Sequence, residues 1–469
     1  MVPQNLRFGG GAADSTILPQ MLVLLLIAIV VMMLLPRGKA IVPFLVAFLT
    51  IPFSQVVVLG GFHFTALRAL ILAGLAKRIS SQKSSGDKYP GGFSAIDGAV
   101  VLWSVVAVVA FCIEFVQMQA WINALGTLLD TLGGYLVVRF LIPDSNAMRR
   151  AIKTLAVICV IEAIPMIGEQ YTRINVFGFV GGVPIASAIR EGTVRSAGTL
   201  GALTAGPLGG LVIPLFLWLW TQEKSRIAAL AGLAGATAMV FTSNSSTSLM
   251  ALFGSLVGLA FWPLRTWMRQ IRWGLVITLV ALHLYMKAPV WALISRVDLT
   301  GSSSSYQREA LVDMTIRRFS EWWLLGTPDY VNWGWDSWDL CNQFVAVALT
   351  GGLLALIIYI AIFKRSFGAI GNARKLVNGD RGQEWSLWCL GSTLFATVVA
   401  YFGINSGAVL MIAFFLLVAS ICVVTSEVRQ TAMEGADVSG DSHFAALPIR
   451  SGAAVPIGQA MSRLRQHPR

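Results

Sequence analysis

Long apolar runs recur along the whole 469-residue chain and constrain its fold more than any other feature. A helix needs about 20 apolar residues to cross a bilayer, with about 17 as the practical minimum. The runs lie at 18–35, 41–58, 62–76, 94–115, 118–142, 154–168, 207–221, 227–243, 246–263, 273–290, 342–363, 386–404 and 406–423. Because only 12% of the residues are charged, a soluble fold could not cover its surface, so the surface must face lipid. The sequence predicts an all-α integral membrane protein with about 12 or 13 transmembrane helices.

The distribution of lysine and arginine predicts the orientation of these spans. Of the 35 basic residues, 24 fall in one set of alternate loops and the C-terminal tail, and 8 fall in the opposite set. Short basic loops stay in the cytoplasm, so the first set is predicted to lie inside. The net charge of +12 is therefore an orientation signal, and no nucleic-acid partner is expected. We expect a multi-pass protein of the bacterial inner (cytoplasmic) membrane, whose first apolar run lacks a small-residue cleavage site and remains as a span.

Two connections on the predicted outer side are much longer than the others, and long loops tend to be functional. They divide the chain into six segments. These are N-terminal transmembrane helices (1–168), a first periplasmic loop (169–206), central transmembrane helices (207–290), a large periplasmic loop with an amphipathic helix (291–341), C-terminal transmembrane helices (342–423), and a cytoplasmic tail (424–469) that is rich in Gly, Ala and Ser and is predicted to be disordered.

The first outer loop carries two arginines, Arg190 and Arg195, before a segment rich in Gly and Ala that becomes apolar near Pro207. Glycine-rich backbone enters a membrane only where it is buried in protein or lines a cavity. The planar guanidinium binds phosphate oxygens in pairs, so both arginines are candidate phosphate ligands. The alternative is that they are ordinary solvated loop residues.

The second outer loop contains a predicted helix at 307–325. An apolar stripe at helical spacing runs along it through Val312, Ile316, Phe319 and Trp323, and Arg308 lies one turn earlier on the same stripe. Arg308 is therefore predicted to point toward the bundle or the headgroups, whereas Arg317 and Arg318 face water or lipid phosphate. The alternative is an interfacial amphipathic helix whose arginines have no catalytic role.

Aromatic and acidic residues follow that helix closely. The loop holds Trp322, Trp323, Trp333, Trp335 and Trp338 within 17 residues. Tryptophan gathers at membrane interfaces, but it also stacks on the apolar face of sugars, so Trp322 and Trp335 are candidate substrate-binding residues, with Arg190 and Arg318. Two carboxylates, Asp336 and Asp339, are candidates to accept a proton from a sugar hydroxyl. The alternative is that they only cap and solvate the loop.

Residue patterns for metals, cofactors and other nucleophiles are absent from the sequence. The five cysteines are scattered without a Cys-x-x-Cys or Cys/His spacing, and neither long loop contains a histidine. There is also no phosphate-binding Walker motif, no Gly-x-Ser-x-Gly and no His-Glu-x-x-His. We expect neither a metal nor a cofactor.

Residues 190–363 resemble the O-antigen ligase/polymerase family, whose members act on glycans carried by a polyprenyl diphosphate. The similar stretches, in order, are RSAGTLGALTAGPLGG, FTSNSSTSLMALFGSLVGL, YQREALVDMTIRRFSEWWLLGTPDY and CNQFVAVALTGGLLALIIY. The resemblance implies a membrane-embedded bundle of the C-type glycosyltransferases, with Arg195 and Arg308 facing the diphosphate. Two positions depart from the family pattern. Cys341 stands where many members have a histidine before the asparagine, and Thr247 where many have an arginine.

The function implied by the resemblance is a polysaccharide polymerase for O-antigen or exopolysaccharide. It would transfer a polyprenyl-diphosphate-linked glycan to a lipid-linked repeat unit at the periplasmic face. One alternative is a ligase that moves finished glycan to a lipid or protein acceptor, a reading that Cys341 weakens. The other is a transporter or flippase, which should carry charged residues inside its spans. The predicted spans are nearly free of charge, with Arg68 and Arg139 near their ends, which favours chemistry at the outer face. The implied partners are the lipid-linked glycan, membrane lipid, and assembly proteins such as a chain-length regulator.

Overall fold

The computed structural model of the protein describes residues 16–52, 54–59, 62–81, 89, 92–190, 192–222, 225–293, 304–334, 337–377 and 379–439. Of these described residues, 79% are helical. In chain order the elements are α1 (Pro19–Leu34), α2 (Arg37–Thr50), β1 (Val56–Leu59), β2 (Phe62–Thr65), α3 (Ala66–Ser81), α4 (Ala95–Glu114), α5 (Met118–Leu141), α6 (Ser145–Thr172), β3 (Ala188–Arg190), β4 (Thr193–Arg195), α7 (Ala202–Trp220), α8 (Arg226–Thr242), α9 (Ser246–Ala260), α10 (Met268–Tyr285), α11 (Ser304–Arg317), α12 (Phe319–Trp322), α13 (Gln343–Leu376), α14 (Arg381–Tyr401) and α15 (Ala408–Ser439).

Six helices within the described ranges are long and apolar enough to cross a membrane, namely α4, α5, α6, α7, α13 and α15. Helix α9 and the segment containing α10 meet at a bend of 73° and together could form a seventh, broken span. Each of the 13 predicted apolar runs contains a helix, which confirms an all-α membrane protein. Fewer helices meet the length and hydropathy requirement than the 12 or 13 predicted, because helices such as α1 and α2 have only 16 and 14 residues.

Between α2 and α3 the chain forms a β-hairpin, where the sequence predicted the ends of two spans. Strands β1 and β2 pair antiparallel, with Val56 opposite Thr65. Pro52, just after α2, lacks the N–H that a continuing helix would need, and the β-branched residues that follow favour extended backbone. The predicted runs 41–58 and 62–76 therefore end in this hairpin.

Small residues let the central helices approach closely. Helix α8 packs against α6 and α7, and a Cβ at Gly235 would come within 2.7 Å of the Cys159 backbone oxygen on α6. Ser255 on α9 donates from Oγ to the carbonyl of Gly210 on α7 at 2.7 Å. Helix association in lipid depends on such close packing and on polar contacts between helices. These contacts fix α6, α7, α8 and α9 as one group.

Charged side chains are buried inside the bundle, although the sequence predicted spans nearly free of charge. The Arg139 guanidinium on α5 lies 3.2 Å from the Asp97 carboxylate on α4, and each side chain is only 1% exposed. The Tyr135 hydroxyl also donates to Asp97, at 2.6 Å, and the Ser94 N–H donates to it at 2.7 Å. A buried charge is tolerated when it is paired in this way. Asp97 joins the first turn of α4 to α5.

The loops emerge between α6 and α7 and between α10 and α13, at one end of the bundle that we call the loop end. Helix α6 runs to Thr172 and α7 begins at Ala202, so the first loop is shorter than the predicted 169–206. The predicted C-terminal tail from 424 is also corrected, because α15 continues to Ser439. The rest of that tail lies outside the described residues.

The predicted helix 307–325 is two helices. Helix α11 ends at Arg317, and the backbone leaves helical geometry at Arg318 (φ −99°, ψ 30°) before the short α12. The buried positions of α11 include Ser305, Leu311 and Thr315, at 6%, 3% and 6% exposure.

The apolar stripe predicted along this helix does not share one face with Arg308, and that part of the prediction was wrong. Ile316, Phe319 and Trp323 are 45%, 45% and 46% exposed, and Val312 is half-buried. The break at Arg318 interrupts the helical register, so that residues on either side of it no longer share one face.

Helix α13 is broken at Gly352, whose φ of 73° and ψ of −176° are not helical. Backbone groups freed by the break bond to the segment that follows α12. Thr327 N donates to Leu349 O at 2.9 Å, and Leu353 N donates to Trp323 O at 2.8 Å. Segment 323–327 therefore replaces the missing helical hydrogen bonds and fixes the first part of α13 at the loop end.

Candidate functional site

The first loop holds Arg195 in a hairpin that is fastened to α6. In the register of β3 and β4, Arg195 pairs with Ala188, and Arg190 pairs with Thr193. This register places both arginines on the same face of the hairpin, as diagonal neighbours. Ser196, the next residue, is fully buried and donates from Oγ to the Met166 carbonyl on α6 at 2.7 Å. The position of Arg195 is therefore set by the membrane bundle.

Two neighbouring residues near the end of α6 support the same loop. The Glu169 carboxylate accepts from Ala197 N at 3.0 Å and from Ser187 Oγ at 2.8 Å. The Gln170 side-chain amide donates to Val194 O at 3.0 Å and to Ser196 Oγ at 2.7 Å. Both sides of the hairpin are thus tied to one helix end.

Arg195 contacts the turn that joins α8 to α9. Its Nε donates to the backbone oxygen of Asn244 at 3.2 Å. Residues 244–247, which we call the serine turn, hold three hydroxyl side chains in a row at Ser245, Ser246 and Thr247, all of them buried. The turn lies at the loop end, where α9 begins.

Arg308 reaches the same turn from the second loop. Its guanidinium donates from Nη2 to Ser246 Oγ at 2.9 Å and to Thr247 Oγ1 at 3.1 Å. The whole residue is only 6% exposed, so of the two directions predicted for this arginine, the bundle and the headgroups, it takes the first. Thr247 in turn donates to Gly403 O at 2.9 Å, which connects the serine turn to the loop between α14 and α15. Two arginines that are 113 positions apart in the sequence therefore bind one four-residue turn.

The beginning of α13 borders this site. Asn342 caps the helix, because its Oδ1 accepts from the backbone N–H groups of Phe344 at 3.0 Å and Val345 at 3.2 Å. Just before it, burial raises the pKa of the Cys341 thiol to about 11, and the nearby positive charge of Arg308 opposes that rise. Cys341 has no basic neighbour along the chain, and this alone would leave its thiol pKa near the usual value of about 8.5. Folding brings Arg308 close, but burial outweighs it.

The other predicted site residues are dispersed. Arg318 pairs with Glu321 at 3.2 Å, with both side chains largely in solvent, and its guanidinium lies 5.6 Å from the centre of the Trp333 ring. Asp339 is exposed, and its backbone oxygen accepts from Cys341 N at 2.8 Å. Trp335 and Asp336 lie outside the described residues.

Trp322 is a core residue of the second loop. It is 5% exposed, its Nε1 donates to Thr315 O at 2.7 Å, and Phe319 packs edge-on against its ring. A ring covered in this way has no face open to a sugar. It anchors α12 on the buried side of α11, in place of the substrate-stacking role that the sequence predicted.

The sequence analysis missed the polar residues that position the first loop. Glu162 and Glu169 are buried on α6, and both accept hydrogen bonds from the loop, Glu162 from Thr199 N at 2.9 Å. Two carboxylates seven residues apart lie on one helical face, and a charge in an apolar helix is a functional or structural marker. That spacing was the available signal. No sequence signal marked Asn244, apart from its place in a polar turn.

A metal site is not formed by the residues that the structure describes, since no group of three or more His, Cys, Asp or Glu side chains converges there. No model of a known protein family matches the chain, and no curated protein matches it either. The geometry of the serine turn and the resemblance of residues 190–363 are therefore the basis for a functional assignment.

Proposed function

We propose that the protein is a glycan polymerase that uses a polyprenyl-diphosphate-linked glycan as donor and a lipid-linked repeat unit as acceptor. The observation that carries this proposal is the meeting of Arg195 and Arg308 at the serine turn. Two guanidinium groups on one turn suit the several oxygens of a diphosphate. The order of the sequence stretches around these arginines supports the same assignment.

The proposed reaction breaks the bond between the first sugar carbon of the donor glycan and the diphosphate oxygen. That oxygen keeps the electron pair and leaves as polyprenyl diphosphate. A hydroxyl oxygen of the acceptor forms the new bond to the sugar carbon, and its proton passes to a base or to water. Arg195 and Arg308 stabilise the negative charge that develops on the departing diphosphate. Asp339, exposed near the beginning of α13, and Asp336 are the candidate proton acceptors.

The proposed location is the bacterial inner membrane, with the loop end in the periplasm. The excess of lysine and arginine in the opposite set of loops supports this orientation. A lipid-linked donor lies in the membrane with its diphosphate at the headgroup level. The position of the serine turn, at the start of a bundle helix and at the loop end, supports this location.

A transporter of lipid-linked glycans is the second candidate, and the buried charges of the bundle favour it. Asp97, Arg139 and Glu162 lie within apolar helices, where charged residues often mark a transport path. Each of them is hydrogen-bonded within the chain, which also fits a structural role. Polymer formation by purified protein distinguishes the two functions, because a transporter moves its substrate without lengthening it.

Replacement of the two arginines in cells tests the proposed function. We expect Arg195→Ala and Arg308→Ala to abolish long-chain glycan on a gel, with unchanged membrane abundance by immunoblot. Lysine should rescue poorly, because an ammonium group cannot make the paired contact of a guanidinium. Arg317→Ala is the matched control, since that side chain is 73% exposed and pairs only locally with Asp313. Normal chain lengths in both alanine variants would refute the assignment.

A further inference from the structure

Asn244 holds Arg195 from two directions. Its side-chain Nδ2 donates to Val194 O, the residue before the arginine, at 2.6 Å. Its backbone oxygen accepts from Arg195 Nε at 3.2 Å. One residue therefore fixes both the strand that carries the arginine and the base of its guanidinium.

The backbone of Asn244 is in the left-handed region, with a φ of 43°. Among residues with a side chain, asparagine is one of the few that adopt this conformation readily. The conformation turns the Asn244 carbonyl toward Arg195 while the side chain reaches Val194. Glycine would keep this backbone at little cost and would remove only the side chain.

A second amide completes the arrangement. Gln170 donates to Val194 O at 3.0 Å and to Thr242 O at 2.6 Å, and its Oε1 accepts from Asn244 Nδ2 at 3.4 Å. The end of α6, strand β4 and the end of α8 are thus joined beside the serine turn. Arg308, in contrast, contacts Ser246 and Thr247, which lie further along the serine turn.

We infer that Asn244 is a positioning residue for Arg195, and that it sets where this arginine meets the diphosphate of the lipid-linked substrate. The inference rests on the proposed function. It predicts that the side chain of Asn244 acts through Arg195 and independently of Arg308. A residue with a merely structural role would affect both arginines alike.

Binding of inorganic diphosphate to the purified full-length protein, measured by titration calorimetry, tests the inference. We expect Asn244→Gly to weaken binding about tenfold. The variant loses the short hydrogen bond from Asn244 Nδ2 to Val194 O and the longer, weaker one to Gln170 Oε1. Asn244→Asp also tolerates the positive φ, but it turns a carboxylate oxygen toward the Val194 carbonyl, so it should weaken binding at least as much. The matched control is Asn405→Gly, at an exposed asparagine in the loop between α14 and α15.

Double variants separate positioning from a general structural effect. In an Arg195→Ala background, Asn244→Gly should cause no further loss of affinity, because its target is gone. In an Arg308→Ala background, the tenfold loss should remain. Equal losses in both backgrounds, or wild-type affinity of both Asn244 variants, would overturn the inference. Wild-type affinity of Arg195→Ala and Arg308→Ala themselves would overturn the proposed diphosphate site as well, so the two failures are distinguishable.

Discussion

Gly352, at the break in α13, is the position where one added methyl group should disturb the loop end most. Its φ of 73° with a ψ of −176° lies in a region that only glycine adopts readily. A Cβ there would come within 2.7 Å of the Leu324 carbonyl carbon and still closer to its oxygen. Gly352→Ala must therefore either move the segment 323–327 away or straighten the helix.

The expected cost follows from these two effects. A residue held in such a backbone region costs about 1–3 kcal/mol. Displacement of segment 323–327 also loses the bonds Thr327 N to Leu349 O and Leu353 N to Trp323 O, each worth about 0.5–1.5 kcal/mol. Gly352→Ala should thus destabilise the loop end by about 2–6 kcal/mol.

Gly368→Ala is the matched control in the same helix. A Cβ at Gly368 meets nothing within 4 Å, and alanine is the better helix former, so this variant should be neutral or slightly stabilising. Thermal unfolding in detergent, followed by tryptophan fluorescence, is the assay, because Trp322 and Trp323 adjoin the docked segment. Equal unfolding temperatures for the two variants would refute the account of the helix break.

Two further predictions concern the thiol and the orientation. Cys341→Ser should keep near-normal polymer length, and the thiol should alkylate slowly with maleimide at pH 8, because a pKa of about 11 leaves it protonated until the pH rises toward that value. A folded but inactive serine variant, or rapid alkylation, would contradict this. Reporter fusions after Pro90 and Gly379 should give a cytoplasmic signal and those after Gly301 a periplasmic one, because the basic loops stay inside. A cytoplasmic signal at Gly301 would contradict the periplasmic location of the loop end.

Apolar composition predicted the helices of this fold well, because lipid exposure imposes long hydrophobic runs. The same rule gave a wrong prediction between α2 and α3. Val56 and its neighbours are as apolar as a transmembrane span, but they form a hairpin. Hydropathy does not distinguish a buried strand from the end of a helix. Charges such as Asp97 were also missed, since a paired charge changes the mean hydropathy of a run very little.

At the candidate site, the sequence predicted that Arg308 points toward the bundle or the headgroups, but for a partly wrong reason. The stripe assigned to it includes Phe319 and Trp323, which lie beyond the end of α11 and face outward. Helical periodicity is valid only while the helix continues, and nothing local marked the break at Arg318. The contacts of Arg195 with Asn244, and of Glu169 with the first loop, join residues far apart in the chain. Spacing along a sequence can mark such residues, as the seven-residue step from Glu162 to Glu169 does, but it does not identify their partners.

The central claim is that Arg195 and Arg308 act together on a diphosphate leaving group. The most direct measurement supplies purified protein with the lipid-linked repeat unit as its only substrate and follows both the glycan ladder and the released polyprenyl diphosphate. Wild type and Arg317→Ala should form the ladder at similar rates, with one diphosphate released per added unit. Arg195→Ala and Arg308→Ala should each be slower by about 100-fold or more, as expected for loss of a charge-stabilising donor. A ladder formed at the wild-type rate by either alanine variant would contradict the claim.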